Sequence, residues 1–182
     1  RNTVFADIPY KTLLKIFNRL EEEGIVKTVS KGVYSIGKKK FDERKILSDY
    51  TSNGKGMVVG YALFNKIGLT HYQDECIVIY TNVITTKQKS IGDLLLKRVD
   101  LIFTDEIIDL VSLLEILDIG FGIRGGDYLT YRNVVELLAK TYTDDNFKQV
   151  IGAIRYKYST IVKLNELLKR LNINNLCMDL YQ

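Results

Sequence analysis

Proline and histidine each occur once in the 182 residues, cysteine and methionine twice, and tryptophan not at all. With one proline and no Pro- or Ser-rich stretch, no long flexible linker marks a boundary. Cys76 and Cys177 lie far apart and form no close pair, which argues against a disulfide framework or a cysteine metal cluster. A single histidine, His71, leaves a histidine triad or metal site without recognisable partners. No apolar run reaches the length of a membrane span, since Leu94-Leu95-Leu96 is at once followed by charge. No signal-peptide pattern opens the chain. A reduced cytoplasmic setting with no membrane partner is the expectation, with no cofactor, no metal and no catalytic residue. The first residue is Arg1 rather than methionine, so part of the N-terminal module is expected to lie upstream.

Composition is that of a globular protein, 46% hydrophobic and 26% charged, so a core can form. The net charge of +4 is unevenly spread. Residues 1–45 hold eleven Lys/Arg against six Asp/Glu, a net of +5, and the rest hold fifteen against sixteen, a net of −1. A basic module on a near-neutral body points to an anionic partner for the module.

The pattern predicts a helix over about 8–23, with Asp7 as N-cap and Pro9 in its first turn. Leu13, Phe17 and Leu20 recur at helical spacing, while Lys11, Lys15, Asn18 and Glu22 recur on another face. Gly24 fits the stop. Strands are expected over 25–29 and 33–36 around a Ser30-Lys31-Gly32 turn. A capped helix followed by a short basic hairpin is the ending of a winged helix-turn-helix, whose first helix would precede Arg1. In that reading Tyr10, Lys11, Thr12 and Lys15 face the major groove of double-stranded DNA. Lys27, Lys31 and Lys38 contact phosphates from the wing, and the Lys38-Lys39-Lys40 run adds salt-sensitive attraction.

Beyond Phe41 the expectation is a second domain. A helix is expected over 56–67, with strands over 75–81, 84–87 and 99–104. Helices capped by Asp105 and by Asp144 or Asp145, and one over 131–142, complete it, the last helix running to about Leu171. The fold class is α+β: a winged helix over 1–45, then a small mixed sheet with helices and a helical C-terminus over 46–182. The long last helix carries Lys148, Arg155, Lys157, Lys163, Lys169 and Arg170, read chiefly as a solvated face.

Three motifs invite other chemistry. Gly120, Gly122 and Gly125 match G-x-G-x-x-G, but a dinucleotide site needs a preceding strand, and Leu113 to Leu117 reads as helix, so a helix–helix turn is expected. Asp74, Glu75, Asp100, Asp105 and Glu106 lie near strand ends, as Mg²⁺ ligands of a nuclease do, but no E-x-K follows; capping and solvation are expected. His71 reads as a turn residue.

The string from Leu20 to Tyr34 (LEEEGIVKTVSKGVY) resembles the winged-helix ending of the AbiEi-type antitoxins of abortive-infection (type IV) toxin–antitoxin systems. The string from Gly60 to Thr70 (GYALFNKIGLT), followed by a β-rich stretch ending at Thr81-Asn82, is similar to the start of their second domain. The two blocks match in order and spacing, over roughly the first 120 residues. The resemblance implies a transcriptional autorepressor acting on its own operator. It also implies a cognate toxin that looks like a nucleotidyltransferase, neutralised through the second domain without the need for a stable complex. Self-association is a further expectation for the C-terminal helices. Two alternatives stand beside this reading: a nucleic-acid-processing enzyme with a winged-helix targeting module, and a winged-helix protein-interaction adaptor.

Overall fold

The computed structural model describes residues 5, 7–37 and 43–181. The expectation for Lys38, and for the lysines after it, lies outside the described residues. The first helix, α1, spans Tyr10–Glu22. Its N-cap is Pro9 rather than Asp7, with no side-chain cap; the Pro9 carbonyl accepts from the amides of Thr12 and Leu13. At the other end Gly24 takes φ +70°, which a side chain would resist. There the Gly24 amide donates to Glu21 and the Ile25 amide to Leu20, the paired bonds of a Schellman stop. Strands β1 (Val26–Ser30) and β2 (Val33–Ile36) then form the hairpin.

After α2 (Glu43–Thr51) comes a four-stranded mixed sheet. It holds β3 (Gly56–Val59), β4 (Ile77–Thr81), β5 (Gln88–Ile91) and β6 (Leu94–Arg98), ordered β3-β4-β6-β5. Only the β4–β6 pair is parallel. Alternation along the strands sends Ile79, Ile91, Leu94 and Leu96 to one face and Met57, Val59 and Tyr80 to the other. The first face gathers hairpin residues Val29 and Val33 together with Ile46, Leu47 and Tyr50 of α2. The second meets the helices. A short helix, α3 (Tyr61–Lys66), follows β3 directly.

The helical layer is built around α4 (Asp105–Ile119), which buries eight of its residues. Packed on it are α5 (Tyr128–Ala139), α6 (Asp144–Ala153) and α7 (Tyr158–Arg170), with α8 (Cys177–Leu180) against α6 and α7. One carboxylate is drawn inside this layer. Glu115 on α4 accepts the hydroxyls of Tyr80 on β4 (3.3 Å) and Tyr156 before α7 (3.2 Å), tying sheet to helices. Burial pushes its carboxyl above the usual range, against the pull of those two hydrogen bonds.

The α+β class is what the sequence predicts, but several elements differ. Residues 56–59 form a strand rather than the start of a helix, because Met57 and Val59 alternate into the core and pair with β4. The chain turns helical only after Gly60. Ile84 to Lys87 is not a strand; the pairing strand begins at Gln88. Val99 to Thr104 joins no ladder, and the strand is the preceding Leu94–Arg98. The long C-terminal helix is two helices, broken at Ile154, whose backbone is extended. Threonines, not aspartates, cap α4 and α6: Thr104 accepts from the Ile107 amide and Thr143 from the Asn146 amide. The sequence assigned no element to α2.

Candidate nucleic-acid interface

Nothing in α1 is fully buried. Its apolar side, Leu13, Leu14, Phe17 and Leu20, is half-buried. The Phe17 ring stacks on Tyr34 of β2 with centroids 4.1 Å apart and planes 12° off parallel. Phe5 meets the edge of Phe17. Glu21 adds a polar clasp, accepting from both the amide and the hydroxyl of Thr28 on β1 at 2.8 Å. Those bonds, the amide above all, hold its carboxyl below the usual range. One stack and one clasp thus fix the helix against one face of the hairpin.

The opposite side of α1 is open. Lys11, Thr12 and Lys15 are exposed there, and Tyr10, the first helical residue, is 66% exposed at the helix start. Lys11 and Lys15, four apart, share a face. Neither has an acidic group within 4 Å among the described residues. Arg19, in contrast, is held by Glu23 at 3.0 Å. Glu21, Glu22 and Glu23 all lie at the C-terminal end. The helix is therefore polarised along its length. Its N-terminal half carries free cations and the positive end of the helix dipole, and its C-terminal end carries the acids.

The wing residues divide. Lys31 lies exposed in the turn between β1 and β2. Lys27 is also exposed, but the strand register sets it apart. Thr28 and Tyr34 are partners on the α1 side, so Lys27 and its partner Ser35 point to the other side of the hairpin. The structure thus puts Lys11, Thr12 and Lys15 on the open side of α1, sets Tyr10 exposed at the helix start in line with Leu13, Leu14 and Phe17, puts Lys31 at the hairpin tip, and leaves Lys27 on the side that faces the sheet. The Phe17–Tyr34 stack and the Glu21–Thr28 clasp, which position the surface, have no signature in local sequence. Only the aromatic pairing potential of the two rings hints at them.

The remaining motifs are placed as follows. Gly120 ends α4 and opens a single 3-10 turn to Gly122, and the next helix begins at Tyr128. A helix precedes the glycines, so the strand a dinucleotide fingerprint needs is not there. His71, Asp74, Glu75, Asp100, Asp105 and Glu106 are all exposed, with Asp100 paired to Arg98 at 2.8 Å. Among the described residues no group of three or more His, Cys, Asp or Glu could hold a metal ion. On the C-terminal helices, Lys157 is bonded to Asp118, Lys163 to the Leu117 carbonyl and Arg170 to Glu136. With Lys148 3.9 Å from Asp145, four of the six basic residues noted there are thus engaged by other groups. No helix among the described residues is long and apolar enough to cross a membrane.

No family model matches the chain, and no curated protein matches it. Among solved structures it is similar to the Rv2827c protein from Mycobacterium tuberculosis, with 12% identity and a TM-score of 0.44 over 92% of this chain and 68% of that one.

Proposed function

We propose that the protein is a cytoplasmic DNA-binding repressor that acts on its own operator. The observation that carries this reading is the polarised α1, whose exposed N-terminal half presents Tyr10, Lys11, Thr12 and Lys15 without acidic partners, braced by a hairpin with Lys31 at its tip. Tyr10 and Thr12 offer hydroxyls to base edges, and Lys11 and Lys15 offer charge to bases or phosphates. Lys31 follows the backbone from the wing. The antitoxin role, with a nucleotidyltransferase-like toxin as its functional counterpart, rests on the resemblance of the Leu20–Tyr34 and Gly60–Thr70 strings alone.

The test is fluorescence-anisotropy binding of the chain to double-stranded DNA from upstream of its own gene, at several salt concentrations, with scrambled DNA as control. Preference for its own DNA and a steep fall with salt are expected. Equal or absent binding to both at every salt concentration rejects the repressor.

A further inference from the structure

β3 is an edge strand: among the described residues it pairs with β4 alone. Which of its backbone groups face outward follows from the ladders. The amides of Ile77 and Val99 bond across to the β6 side, at Asp93 and from Val99 to Thr81, so the odd residues of β4 are turned toward β6. The even residues, Val78 and Tyr80, therefore serve β3, and their partners Val59 and Met57 point inward. The bond from the Asn82 amide to the Lys55 carbonyl fits the same alternation. Gly56 and Val58 are left with N–H and C=O directed away from the sheet, and neither has a hydrogen-bond partner on that side among the described residues.

That edge opens into a cavity of about 490 Å³, within the size range of ligand sites. Gly56, Met57 and Val58 form its back. Leu47 of α2 and Ile77 line it on one side of the sheet, Leu63 of α3 and Ile108 of α4 on the other. Lys66 and Asp74 also line it, both exposed and neither in an ion pair within 4 Å among the described residues.

We propose that this groove takes an extended peptide segment of a partner protein, added to β3 as a fifth strand. Two outward N–H and C=O sets two residues apart repeat at roughly 6.8 Å, which matches the main chain of another strand. A compact small molecule has no such repeat. A second copy pairing through its own β3 is disfavoured because Gly56 and Met57 are buried within the recess, and an equally recessed strand cannot reach them; pairing through the other edge strand, β5, is the outcome that sedimentation would detect. Each wall has an apolar part, beside which stand Thr51, Asn65 and Gln73 with the charged Lys66 and Asp74, so the segment carries apolar side chains at its centre and polar or charged ones beside them. This inference does not rest on the DNA-binding reading.

The probe is a displayed library of random decapeptides, panned against the full chain and against Val58→Pro. Proline removes an outward N–H here, a place where strands tolerate it, and replaces a side chain that packs on both core clusters. Short β-branched runs flanked by charge are expected, and Val58→Pro weakens the selected peptide by about tenfold, the worth of one hydrogen bond. The selected peptide is then made with N-methyl groups on alternate residues, in both phases. Methylation facing β3 abolishes binding to the wild-type chain, and the other phase leaves it intact. This arm holds even if Val58→Pro does not fold. The proposal is overturned by a library that yields nothing above an albumin control, by equal binding of both methylated phases, or by sedimentation showing that the chain occupies the groove with its own copy.

Discussion

Lys11 and Lys15 are single side chains whose loss touches nothing else, since neither packs nor pairs within the described structure. A Lys11→Ala/Lys15→Ala variant is expected to melt like the wild type, to bind operator DNA more weakly, and to reduce the slope of log K against log salt by about two. Anisotropy over a salt series reads both quantities, and an unchanged slope removes these lysines from the interface. Glu115 behaves in the opposite way, because it is half-buried and bonded. Its folded carboxyl sits above the ordinary value, so the native chain holds this proton more tightly than the unfolded one. The stability this contributes is present below the unfolded value, near 4.5. It is lost as pH rises through the raised folded value. Glu115→Gln is therefore expected to gain stability relative to the wild type as pH goes from about 4 to 8. Urea unfolding at the two ends of that range checks this, and a constant difference between the proteins contradicts it.

At the scale of elements, two glycines separate crowding from conformation. A Cβ on Gly56 would collide with the Tyr80 carbonyl and lie 2.6 Å from that of Tyr50, both of them backbone. Gly56→Ala is expected to cost about 3 kcal/mol, the upper part of the range for overpacking. A Cβ on Gly24 meets nothing within 4 Å, yet the residue sits at φ +70°. Gly24→Ala is expected to cost about 1–2 kcal/mol, from the left-handed backbone alone. Thermal unfolding of both variants tests the order. The same contrast explains what could be read from the chain. The helix stop at Gly24 and the strand over 33–36 are local, governed by turn chemistry and short periodicities, and they stand where the sequence placed them. Residues 56–59 misled because Val58 and Ala62 share helical spacing, and only the partner strand β4 decides otherwise. The apolar period likewise runs on past Ile154, whereas the break there leaves Tyr156 buried, with its carbonyl accepting from Tyr181 and its hydroxyl donating to Glu115. In the candidate interface, the exposed lysines were legible as polar positions on an amphipathic pattern. The side of the hairpin on which Lys27 falls was not, because it depends on which face α1 covers.

For the molecule as a whole, the sheet is covered on both sides, by the helical layer and by the hairpin with α2. Val29 and Val33 belong to the first forty-five residues, yet they pack on the cluster around Ile79 and Leu96. Wing and sheet therefore share a core. Ile79→Ala, at a fully buried position, is expected to cost about 2–5 kcal/mol. Amide resonances of Val29 and Val33 should be lost at the same lowered midpoint as those of β4 and β6. A wing that kept the wild-type midpoint would show that the shared cluster does not bind the two parts.

Leu47 belongs to two surfaces at once. It lines the groove at β3 and also packs against the apolar cluster on which Val29 and Val33 rest. A molecule that moved Leu47 by entering the groove would alter the bed of the hairpin, and through the Phe17–Tyr34 stack the pose of α1. Thermodynamic linkage makes the relation mutual: a groove ligand that changes affinity for DNA by some factor has its own affinity changed by that factor when DNA is bound. If both proposed surfaces take their ligands, the position of one leucine would give them a common variable, whose size a pair of titrations, each with and without the other ligand, would measure.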